Sequence, residues 1–147
     1  MTSDKQQTRE KQRGASDAEE IVGKVNPTRD YRDLLVWQKG MELTEQIYKI
    51  TQAFPTDERF GLVSQMRRAA ISIPSNIAEG QARHTTKEFI QFISHAEGSV
   101  AELDTQLTLA TRFGYCPGTN VKEAFILLSE LRRMLNSLRR KLNGNLR

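Results

Sequence analysis

The sequence predicts an all-α fold, an antiparallel up-and-down four-helix bundle, and three observations carry that prediction. Phe89, Ile93, Ala96, Val100, Leu103, Leu107 and Ala110 recur at alternating spacings of four and three, the pattern of a bundle seam. Val121, Ala124, Leu128, Leu131, Leu135, Leu138 and Leu142 recur in the same way. The connections between apolar segments are short, and no stretch alternates apolar and polar residues as a strand would.

Residues 1–30 are rich in Lys, Gln, Asp, Glu, Ser and Thr, with only Ile21, Val22 and Val25 as sizeable apolar surface. That is too little to offset the entropy of ordering, so a flexible polar tail is expected. The bundle then occupies 31–147. Asp33 is placed to cap a first helix over about 33–54, stopped by Phe54 and Pro55. Its apolar face is double: Val36, Gly40, Leu43, Ile47, Ile50 and Phe54 form one row, with Trp37, Met41, Thr44 and Tyr48 beside it. Such a width suits contacts on two sides.

Thr56, Asp57 and Glu58 supply a cap and an acidic first turn for a second helix over about 57–83. Leu62, Met66, Ala69 and Ile73 form one row of it, and Phe60, Val63, Ala70 and Ile77 the next. Within it lies the least helix-like stretch of the chain, Ser72 to Arg83. Pro74 has no N–H for the carbonyl of Ala70 and its ring crowds that turn, so a kink is expected there. Ser72, Ser75 and Asn76 can bond the backbone groups a kink leaves unpaired, and Asn76 and Glu79 are expected to face the third helix or a neighbouring subunit. Thr85 or Thr86 caps a third helix over about 86–113, with Glu88 set for a capping box if Thr85 is the cap. Gly98 beside Ser99 suggests a close backbone approach to the kink. Gly114, Pro117 and Gly118 make the turn, and Thr119 or Asn120 caps a fourth helix over about 119–142, ended by Asn143 and Gly144.

At 147 residues the chain is one domain. The net charge is +4, and it is unevenly placed: residues 1–30 and 31–117 are close to neutral, whereas 118–147 hold 7 basic and 2 acidic side chains. Cys116 is the single cysteine, which excludes an intrachain disulfide or a Cys-based zinc site and fits a reducing compartment, with cytoplasm the simplest assignment. No apolar run approaches the ~18 residues of a membrane-spanning helix, and the polar start lacks the apolar core of a signal peptide.

A helical bundle hosts catalytic chemistry in few forms. A carboxylate-bridged two-metal centre needs Glu-x-x-His on two helices, yet Gln81 precedes His84 by three and Phe92 precedes His95 by three. There is no phosphate-binding glycine loop, and Cys116 has no partner that would make it a nucleophile. No enzyme, metal or cofactor is expected.

The basic residues are the stronger lead. Arg132, Arg133, Arg139, Arg140 and Lys141 recur about a heptad apart, and the four arginines, with Asn136 and Asn143 between them, share one side of the fourth helix. They form a stripe able to follow phosphates. Arg67 and Arg68 make a smaller pair. No aromatic side chain interleaves with the stripe, so binding by charge and shape is expected rather than base stacking. The same arginines also suit a solvated face with salt bridges between subunits.

Several separated motifs occur together. They are Asp33, Leu34, Val36 and Trp37; Phe54 and Pro55; Phe60, Gly61 and Leu62; Gln65 to Arg68; Ser72, Pro74, Ser75, Asn76, Glu79 and Gly80; and Ala96 to Ser99 with Glu102 and Leu103. In this order they resemble the four-helix-bundle family encoded within 23S rRNA intervening sequences, over about Tyr31 to Leu142. The resemblance implies a small cytoplasmic bacterial protein without known catalytic activity, assembled as a homopentameric ring. It further implies kinship with the accessory variability determinants of diversity-generating retroelements, basic pentamers that bind nucleic acid and associate with a reverse transcriptase. The 30-residue tail departs from the family pattern. Two functions follow as expectations: an oligomeric protein binding RNA or other nucleic acid through its arginines, or a scaffold for a protein partner such as a reverse transcriptase or ribosomal factor.

Overall fold

A computed structural model describes residues 30–117 and 121–146. The polar tail expected over 1–30, Asp30 apart, and the caps expected at Thr119 and Asn120 lie outside the described residues. Four α-helices and no strands occur among those described: α1 Leu35–Thr51, α2 Leu62–Gln81, α3 Thr86–Arg112 and α4 Lys122–Gly144. No helix among them is long and apolar enough to cross a membrane.

Contacts between helices fix their directions. Gly40 meets Pro74 and Tyr48 meets Arg67, so α1 and α2 run in opposite senses. Ser72 meets Ser99 and Gly80 meets Phe92 between α2 and α3. Glu97 meets Arg139 between α3 and α4, while Lys39–Glu130 and Gln46–Glu123 return α4 against α1. Each helix packs on its two neighbours and none across a diagonal among the described residues, so α2 and α4 occupy opposite corners.

Most positions of the apolar rows read from the sequence form the core. Leu43, Ile47, Met66, Ile73, Ile93, Leu103, Leu131 and Leu135 have no exposed surface, and each large side chain so buried contributes about 1.5–3 kcal/mol. α1 packs on both α2 and α4, but of its double face only the Val36 to Phe54 row is buried, while Met41 and Tyr48 of the second row are exposed.

The helix ends depart from expectation in instructive ways. Asp33 does not cap α1. It lies inside a 3-10 turn, Tyr31–Asp33, whose cap is Asp30, accepting the Arg32 N–H at 3.1 Å. Leu34 takes the cap position of α1 without a side-chain bond and is buried. Burying a leucine outweighs the ~1 kcal/mol of a polar cap. Thr56–Glu58 likewise form a 3-10 turn rather than the first turn of α2. The Glu58 carboxylate instead accepts the Leu62 N–H at 3.0 Å, one turn later. Phe60, expected on the apolar face, therefore precedes the helix and is 90% exposed. Thr85 caps α3 as the sequence indicates, accepting the Glu88 N–H at 3.2 Å.

α2 remains helical through Pro74, which is buried. The carbonyl of Ala70, deprived of its donor, lies 3.1 Å from the Thr44 hydroxyl of α1, which is also 2.8 Å from its own Gly40 carbonyl. Gly40 packs directly on Pro74, and a Cβ there would lie 3.4 Å from the ring, at the edge of ordinary van der Waals contact. Ser72 donates to the Ala69 carbonyl at 2.9 Å and bonds Ser99 of α3, while Asn76 donates to the Ser72 carbonyl at 2.7 Å. Asn76 thus serves its own helix rather than α3, and Ser75 and Glu79 are exposed. The close backbone approach expected at Gly98 is also elsewhere. Gly98 is exposed with open space beside it, whereas a Cβ on Gly80 would fall 2.7 Å from Phe92 Cβ and 2.8 Å from Phe89.

Candidate nucleic-acid interface

α4 sorts its charges by flank. Its two carboxylates turn toward α1: Glu130 accepts from Lys39 Nζ at 2.7 Å, and Glu123 accepts from Gln46 at 3.4 Å. Lys141 is about five turns from Glu123 and three from Glu130, which puts it on this same α1 flank and apart from the arginines. On the α3 flank, Arg139 donates to Glu97 at 2.6 Å and to Asn136 at 3.0 Å. That pairing removes Arg139 from the free stripe expected of it.

Away from the α1 flank, the exposed charged side chains of α4 are all basic. Arg132, Arg133 and Arg140 are exposed and have no carboxylate partner among the described residues. Exposed Lys122 joins the outer row, about three turns before Arg133 and five before Arg140. The sequence carried that signal in its spacings of 11 and 18 residues. It is easily missed because heptad steps back from the arginines do not reach position 122.

Arg67 and Arg68 sit on α2, at the opposite corner from α4. Arg67 is partly buried: it donates to Thr51 Oγ1 at 3.0 Å and stacks over the Tyr48 ring at 4.4 Å. It thereby ties α2 to the last turn of α1, where its Nη2 also lies 3.5 Å from the Tyr48 carbonyl. Arg68 is exposed. Around them is a groove of about 410 Å³ that also takes in Arg59, Phe60 and Ile71. The sequence did not point to this cluster, because its members come from α1, the turn before α2, and α2.

No group of three or more His, Cys, Asp or Glu among the described residues is placed to hold a metal ion. Burial pushes the Cys116 thiol up, away from the reactive thiolate. Desolvation, then the nearby Glu58 carboxylate, raises Tyr115 in the same direction.

Four antiparallel helices around one apolar core, with a basic outer face on the last helix, define a charged helical-bundle protein. The chain belongs to the 23S rRNA-intervening sequence protein family, whose model matches residues 32–137. The matched span contains the whole Ser72–Gly80 motif and ends just before Arg139, Arg140 and Lys141. No curated protein matched the chain.

Proposed function

We propose that this is a non-enzymatic protein of the cytoplasm that assembles as a homo-oligomer, a pentamer by family resemblance, and binds RNA or other nucleic acid by charge and shape. The observation that carries the reading is the outer face of α4, where Lys122, Arg132, Arg133 and Arg140 face solvent while both carboxylates of the helix face α1. One such face supplies few phosphate contacts. Repetition around an oligomer would let weak contacts add. Ile126, Leu109 and Phe113, at 51, 40 and 58% exposure, offer apolar surface for subunit contacts.

Replacing Arg132, Arg133 and Arg140 together with Gln tests the reading on a double-stranded RNA of random sequence. Three lost phosphate contacts lower the slope of log K against log salt by about 2.7 on the duplex-DNA coefficient, and weaken binding on the order of 10²-fold near 0.1 M salt. The melting temperature should stay within about 2 °C because all three side chains are exposed. Unchanged affinity and slope would overturn the proposal. The same exposed apolar residues favour a second reading, a scaffold for a protein partner such as a reverse transcriptase. Retention of a partner from nuclease-treated lysate by the triple variant would favour it.

A further inference from the structure

The groove on the α1–α2 side differs in chemistry from the α4 face. Tyr48, Phe60 and Ile71 contribute 37, 90 and 44% exposed apolar side chains, and Arg59, Arg67 and Arg68 stand among them. The Arg59 guanidinium lies 5.7 Å from the Phe60 ring centre and that of Arg67 lies 4.4 Å from Tyr48. No carboxylate is among its described lining residues. Such a large exposed phenylalanine gains nothing from the fold, since Glu58 caps α2 whether or not a ring stands at position 60.

Open rings interleaved with arginines suit a ligand that is anionic and flat at once, a nucleotide chain whose bases are free to stack. A duplex offers phosphates but keeps its bases in the stack, so the α4 face suits it and this groove does not. From this we infer that the α1–α2 groove is a second, separate site that binds single-stranded nucleic acid. Phe60 stacks a base, and Arg59 and Arg68 hold the flanking phosphates. Arg67, anchored on Thr51, holds the Tyr48 ring in place. The site is independent of the α4 face, from which it is separated by the width of the bundle.

The test is anisotropy of a labelled oligouridylate of about 12 nucleotides, within the site size of single-strand binders, alongside the random double-stranded RNA. Phe60→Ser is expected to weaken oligouridylate binding about 5- to 150-fold, the loss of one stacked base. Phe60→Trp should retain it, and neither change should alter duplex binding or the mass by light scattering. Arg68→Gln should lower the single-strand salt slope by about 0.7. The α4 triple variant should keep its oligouridylate binding, so the two sites fail separately. Absence of oligouridylate binding by the unaltered protein overturns the inference. So does a Phe60→Ser variant that binds as before, or one whose lost binding accompanies a changed mass, which would assign the groove to a second copy of the chain.

Discussion

The Ser72–Gly80 stretch of α2 and the outer face of α4 are both polar interruptions of an apolar chain, yet they turn their polar groups to opposite ends. In α2 the hydroxyl of Ser72, the amide of Asn76 and the freed carbonyl of Ala70 are all paired inside the bundle. On α4 the guanidinium groups of Arg132, Arg133 and Arg140 have no partner among the described residues. The first region is structure whose loss costs stability. The second is surface whose loss leaves stability alone, and variants that break or sharpen this division are informative in order of size.

The largest effect is expected at Gly80. A valine there places Cβ 2.7 Å from Phe92 Cβ, a position fixed by backbone, so α2 and α3 must separate. Overpacking of this kind costs about 1–3 kcal/mol, and a β-branched residue recovers little through helix propensity. Gly98→Ala is the counterpart on α3: with nothing within 4 Å of the added carbon, it should stabilise by roughly 0.8–1 kcal/mol. Urea denaturation of both variants checks the opposite signs. A stabilising Gly80→Val would remove close packing from the motif's role.

A smaller effect isolates the proline. Thr44→Val keeps the shape of α1 but leaves the Ala70 carbonyl without a donor, at a cost of about 1–2 kcal/mol. In a Pro74→Ala background the new N–H at 74 can serve that carbonyl, so Thr44→Val should cost about 1 kcal/mol less there. Equal costs in the two backgrounds would show that the hydroxyl is not answering the proline.

The innermost rows were legible because their burial follows helical spacing: every member of the Val36 to Phe54 row is buried. Features decided between elements were not. Asp33 had the chemistry of a cap, but burial of Leu34 set where the chain entered the bundle. Gly98 and Gly80 are indistinguishable as letters, and only the neighbouring helix decides which faces Phe89 and Phe92. Likewise Pro74 announced an unpaired carbonyl, while its remedy, Thr44, lay 30 residues away on another helix. The basic stripe was legible as a stripe, but its free members depended on where the neighbouring carboxylates fell.

That last point gives the smallest and most discriminating comparison, Arg139 against Arg133. Their spacings place both on the stripe, but Arg139 meets Glu97 at 2.6 Å with a side chain only 33% exposed, and Arg133 stands in solvent. Arg139→Gln should therefore destabilise the bundle by about 0.5–1 kcal/mol, the scale of a partly exposed ion pair, and leave the salt slope of RNA binding almost unchanged. Arg133→Gln should do the reverse, with stability constant and the slope lower by about 0.9. If both variants change the slope equally, Glu97 does not withhold Arg139 from phosphate, and the division of α4 into a structural flank and a binding face fails.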